Sequence, residues 1–150
     1  MAHALNFVIP IKQDPKSLAQ LATLQSIFAE KIQPQIDAAL RKSQIVHFAR
    51  LFVIDNKYLL VITEFDGGDS DYTEFFRREL KDIFALLFSL SEKVPPAGVL
   101  DDAAAFWEFS KGLHVRSLGK GDTNSEGEPL GYLFSAYGNR KVKDILATLG

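Results

Sequence analysis

One hundred and fifty residues, 47% hydrophobic and 24% charged, have the balance of a core-forming chain of single-domain size, which excludes disorder and collagen. Seventeen Lys and Arg against nineteen Asp and Glu leave a net charge of −2, so there is no overall positive field for a phosphate backbone and no nucleic-acid partner is expected. Cysteine is absent, which removes disulfides, thiolate metal sites and cysteine nucleophiles.

The first element expected is a strand over 4–11, where Leu5, Phe7, Ile9 and Ile11 alternate with Asn6, Val8 and Pro10. No basic segment leads into it, so it does not read as a secretory signal. The apolar run from Ile83 to Leu90 falls far short of the roughly 20 residues that span a bilayer. A soluble, cytoplasmic protein without a membrane partner is therefore expected. Asp14-Pro15 starts a helix, with a capping oxygen followed by a ring of preset φ. Leu18, Leu21, Phe28, Ile32, Ile36 and Leu40 lie along one stripe of that helix, and Pro34 should kink or split it.

Ile45 to Ile54 and Tyr58 to Phe65 are rich in β-branched and aromatic residues and flank Asp55-Asn56-Lys57, which predicts a hairpin. Both of its faces are apolar, so both need cover. Asp66-Gly67-Gly68-Asp69 is a turn, and Tyr72, Phe75, Phe76, Leu80, Ile83, Phe84, Leu87 and Phe88 predict a second long helix to about Glu92. Pro95-Pro96-Ala97-Gly98 stops it. Asp101 or Asp102 can then cap a short helix carrying Phe106, Trp107 and Phe109. Ser117 to Pro129 reads as a glycine-rich loop, Leu130 to Tyr137 as the last strand, and Asn139 as the cap of a terminal helix holding Val142, Ile145, Leu146 and Leu149.

This order predicts one α+β domain of ferredoxin-like βαββαβ type: an antiparallel sheet, two long helices on one face, an extra helix before the last strand and a C-terminal helix. The helices leave one sheet face bare. Pairing of that face with a second copy would make a homodimer in the manner of a dimeric α+β barrel, each large side chain so buried contributing about 1.5–3 kcal/mol. The competing arrangement is a monomer whose helix 101–111 folds over the same face.

His47 stands mid-strand among Ile45, Ala49, Leu51 and Val53. A two-residue hairpin loop would put Glu64 beside it, forming a His–carboxylate pair able to move a proton or orient a ligand, whereas a three-residue loop would remove that pair. The plainer reading of His47 is a hydrogen-bonded structural histidine. Arg50 should face the other way beside Phe48, Phe52 and Thr63, where it binds a ligand anion or bridges to Glu74 or Glu79. His114 and Arg116 precede the glycine loop and are further ligand-binding candidates, His114 also as a haem ligand beside Phe106, Trp107 and Phe109. No metal is expected at Asp66 to Asp71. The twelfth position counted from Asp66 is Arg77, where an EF-hand loop needs a bidentate glutamate, and helix capping accounts for the acidic residues.

The runs His47-Phe48-Ala49-Arg50, Asp55, Leu59-Leu60 and Phe65-Asp66-Gly67, followed by Asp71-Tyr72 and Phe76, resemble a pattern of bacterial ferredoxin-like proteins. The wider superfamily they resemble, the dimeric α+β barrels, includes haem peroxidases of the dye-decolourising type, chlorite dismutases and small monooxygenases. The resemblance implies a sheet-to-sheet dimer with an internal site, and one such fold hosts many chemistries. The function read from the chain is thus a small domain that dimerises through its sheet and binds a small apolar or acidic ligand. An oxidoreductase using His47 or His114 with Arg50, and a module whose open face meets a different protein, are the alternatives.

Overall fold

Alternation and capping account for most elements of the computed structural model, which describes residues 2–150. Strand β1 (Ala2–Pro10) buries Leu5, Phe7 and Ile9 on one side and turns Asn6, Val8 and Pro10 to the other, the period of two of a strand with one covered face. Helix α1 (Pro15–Ile27) begins where the Asp14 carboxylate accepts the Ser17 N–H at 3.0 Å. It passes through a π-helical turn (Phe28–Ile32) into α2 (Gln33–Ser43). The expected break is therefore present and falls just ahead of Pro34, whose missing N–H cannot bond the carbonyl four residues back. Gln44, with φ 53°, ends α2 in the left-handed conformation.

Strands β2 (Val46–Ile54) and β3 (Tyr58–Asp66) form the predicted hairpin. Its loop has three residues, with Asp55 and Asn56 both left-handed, so Ile54 opposes Tyr58, Arg50 opposes Ile62 and Phe48 opposes Glu64. β1 pairs antiparallel with β3 from the other side, giving the sheet order β1-β3-β2.

The second long helix is two helices, α3 (Asp69–Glu79) and α4 (Lys81–Ser89), divided at buried Leu80, which leaves helical geometry at φ −122° and ψ 30°. Helix α5 (Ala103–Lys111) starts at Asp102, whose carboxylate accepts the Ala105 N–H at 3.1 Å. The last strand expected over 130–137 is not formed. Pro129–Gly131 (β5) pairs instead with Asp122–Thr123 (β4) in a separate two-stranded ribbon. The outer edge of β1 is taken by residues 113–115: Val8 N–H donates to Leu113 O and Val115 N–H to Asn6 O, both at 2.9 Å. Helix α6 (Val142–Leu149) is begun by Lys141 and Asp144 rather than Asn139, the Asp144 carboxylate accepting the Lys141 N–H.

Leu5, Phe7 and Ile9 of β1, Leu59, Val61 and Phe65 of β3, and Leu21, Ile32, Tyr72, Phe76, Ile83 and Leu87 of the helices form one core on a single face of the sheet. Helix α5 joins this same layer. The Phe106 ring meets Phe84 edge-on at 5.1 Å, and Phe109 meets Phe88 at 4.9 Å. Residues 101–111 therefore do not fold over the opposite face. There Phe52, Ile54 and Tyr58 are exposed, Leu60 and Ile62 half-buried, and Phe48 is 67% exposed.

Candidate functional site

The site grows from an irregularity at the start of β2. Val46 opposes Phe65, yet Phe48 opposes Glu64, so two steps along β2 match one along β3 and His47 is the extra residue of a β-bulge. A bulge re-aims its side chain. Val46 and Ala49 both turn toward the core, and His47 is freed from alternation to reach the end of β3. There its Nε2 lies 2.8 Å from Asp66 Oδ1, and its Nδ1 lies 2.8 Å from the Tyr137 hydroxyl, whose ring stacks on the imidazole. The second Asp66 oxygen accepts the Val142 N–H at 2.8 Å, which fixes the first turn of α6.

Donor and acceptor types fix one end of this chain. Asp66 already accepts from an amide and only accepts when ionised, so His47 donates from Nε2. Nδ1 then accepts from the Tyr137 O–H when the ring is neutral and donates to the Tyr137 oxygen when it is an imidazolium. Burial, followed by the negative charges of Asp66 and Glu64, raises the Tyr137 pKa and keeps it a phenol. The His47 and Asp66 side chains are 4% and 7% exposed, whereas Tyr137 opens onto a groove of about 350 Å³ between α2 and α6, within the range of small-molecule sites.

Leu40, Val46, Phe48, Val142, Ile145 and Leu146 supply the apolar walls of this groove. Its polar positions are Gln44, His47, Tyr137 and Arg41, with no carboxylate among the lining side chains. Arg41 makes no ion pair among the described residues, whereas its neighbour Lys42 is held by Glu79 at 2.8 Å. The groove therefore offers one uncommitted cation, one hydroxyl and an apolar bed.

The expected pairings are corrected by the register. With three loop residues, Thr63 shares the covered face with Ala49 and is buried, where it accepts from the Tyr72 hydroxyl and donates to Leu5 O. Glu64 moves to the open face with Arg50, and the bulge gives His47 to Asp66 in its place. Burial raises the Glu64 pKa, opposed by the charges of Arg50 and His47. Arg50 lies over the Phe52 ring at 5.8 Å and does not bridge to the helices, since Glu74 is held by Arg77 and Glu79 by Lys42. Arg116 is exposed just beyond the edge segment 113–115, remote in sequence and in fold from the groove.

His114 sits on the covered side of that segment. Its Nε2, Asp69 Oδ2 and Ser110 Oγ are buried without partners and line a chamber of about 30 Å³, room for one water molecule. Burial lowers the His114 pKa. Haem does not fit these histidines: both His47 nitrogens are engaged, and His114 faces a space about a tenth of the ~300 Å³ at the lower end of ligand pockets.

Asp66, Tyr137, Arg41 and Val142 escaped sequence reasoning. Asp66 stood in an evident glycine turn and Tyr137 in an aromatic run, so each had a local explanation that hid a partner far along the chain. A second distant pair, His3 with buried Asp122 at 2.6 Å, was hidden for the same reason. In comparisons with known proteins, no family model and no curated protein matches the chain.

Proposed function

We propose that this chain is a binding domain for a small molecule with an apolar body and an acidic head, held in the groove between α2 and α6, and that it works as a homodimer joined through the open sheet face. The observation that carries the reading is the groove itself, whose apolar walls enclose an unpaired Arg41 and a hydroxyl backed by imidazole and carboxylate. A carboxylate head meets Arg41 and Tyr137 while its tail lies along Ile145 and Leu146. Octanoate is a suitable probe. Saturable one-to-one binding by calorimetry is the expected result, with Arg41→Ala weakening it about tenfold, the value of one charge-assisted hydrogen bond. Failure of octanoate to bind at millimolar concentration rejects the reading.

The dimer rests on the unpartnered face. Three strands of nine residues present a footprint of about 400 Å² in which Phe48, Phe52, Ile54 and Tyr58 are exposed, the size of the roughly 300–600 Å² patches that often serve as contact surfaces. Arg50 and Glu64 lie on that face two residues out of register, so a two-fold axis between them sets each charge against its opposite in the partner, as a self-complementary interface requires. The order β1-β3-β2, with residues 113–115 at the outer edge of β1, supports a ferredoxin-like ancestry for this sheet. Light scattering should give about twice 16.7 kDa, and Ile62→Lys should return the protein to that mass. A wild-type monomer at micromolar concentration removes the dimer and leaves the face to a different protein.

A further inference from the structure

We infer that binding of an anion in the α2–α6 groove is coupled to uptake of one proton by His47, with Tyr137 turning its O–H from the imidazole to the ligand. The inference rests on the groove reading above and adds how the site recognises charge. It follows from the connectivity of the chain of groups. His47 lies 2.8 Å from both Asp66 and the Tyr137 hydroxyl; while its ring is neutral with the proton on Nε2, the hydroxyl donates to Nδ1, so the face that Tyr137 turns to the groove carries only oxygen lone pairs. An anion there meets lone pairs and is repelled.

Protonation of Nδ1 reverses the last link. A proton from solvent bonds to Nδ1, which now donates to the Tyr137 oxygen, and the phenol proton is released to point at the ligand. One covalent bond forms, Nδ1–H, and one breaks, the bond that held the proton on the buffer acid, whose heat of ionisation the titration reads. The imidazolium is compensated by Asp66 on its far side, which is held ready by the Val142 N–H. The charged and titratable groups facing His47 are Asp66 and Glu64 of β3, Tyr137 of the segment before α6, and Arg41 of α2 across the groove. An anion bound at Arg41 offsets the guanidinium's charge and brings a negative charge to face the ring. Ligand and proton thus each favour the other's binding, as linkage demands.

The test is calorimetry of octanoate and of 1-octanesulfonate at neutral pH in phosphate and in Tris, whose ionisation enthalpies differ widely. Coupled uptake makes the observed heat depend on the buffer, equally for both anions, because the sulfonate stays ionised and takes no proton itself. Tyr137→Phe, a change at a partly exposed residue, removes one of the two head-group contacts and should bind both anions more weakly, through Arg41 alone, with heats independent of buffer. 1-Octanol, which has the tail without the charge, should bind without uptake. Binding by wild type with buffer-independent heat overturns the coupling and leaves the groove reading standing. Uptake that persists in Tyr137→Phe, or that appears with octanoate but not the sulfonate, also overturns it. Absence of any binding overturns both.

Discussion

Replacing Asp66 with alanine tests whether one carboxylate ties α6 to the sheet. Asp66 accepts two hydrogen bonds, from His47 Nε2 and from the Val142 N–H, each at 2.8 Å. Bonds to a charged group are worth about 1.5–3 kcal/mol each, so the pair sets an upper bound of about 3–6 kcal/mol. Val142 is half-buried at the first turn of α6, where its freed N–H regains water in part, which brings the expected loss down to about 2–4 kcal/mol. α6 is eight residues long and buries none of them fully, too short to persist unaided. The loss should therefore fall first on α6. Hydrogen exchange resolves this: the Ile145 and Gly150 amides, bonded within or at the end of α6, should lose about 30- to 700-fold protection at about 1.4 kcal/mol per tenfold, while amides of β2 and β3 change much less. Asp66→Asn should be milder. Its carbonyl serves one donor, and His47 can move its proton to Nδ1 so that Nε2 accepts from the new amide. Unchanged α6 protection in Asp66→Ala refutes the claim that this carboxylate anchors the helix.

Gly131 has φ +99°, and a Cβ there would lie 2.2 Å from Ser117 O, so Gly131→Ala should displace the β4–β5 ribbon and lower the urea midpoint, whereas Gly127→Ala, with nothing near its Cβ and only φ +81° to strain it, should cost less. His114 has a folded pKa lowered by burial, so the unfolded chain takes up a proton first: stability is full above the ordinary imidazole value of 6.5 and falls as pH drops from there through the lowered value. His114→Gln should flatten that acid-side loss in urea titrations, and an unchanged slope would assign it to another group.

The features legible in the sequence are those whose causes are local. Asp14 and Asp102 cap their helices because capping needs only an oxygen and an amide two or three residues on. The hairpin was legible because β-branched and aromatic runs flank polar residues that tolerate left-handed backbone. The faces of that hairpin were not, because one loop residue decides them. Asp55, Asn56 and Lys57 all lie in the loop, and that count moves Thr63 into the core and Glu64 out to Arg50. The bulge at His47 moves its partner by a further step, and nothing in the residues around it announces one.

The misplaced last strand has a different cause. Tyr132, Phe134 and Tyr137 have the composition of a strand, yet β-propensity records how well a side chain suits a half-buried pleated surface, and a segment needs a free edge before that preference counts. The only outer edge of β1 is already bonded to residues 113–115, which follow α5 directly and reach it without a long connection. With that edge taken, residues 132–141 run from β5, which lies against β1, to the start of α6, anchored by Asp66 at the far strand end. Phe134 is left 86% exposed, while Tyr137 is set down on His47. An aromatic run that loses its place in a sheet thereby supplies the hydroxyl of the site, and the same competition for one strand edge that spoils the topology forecast creates the groove.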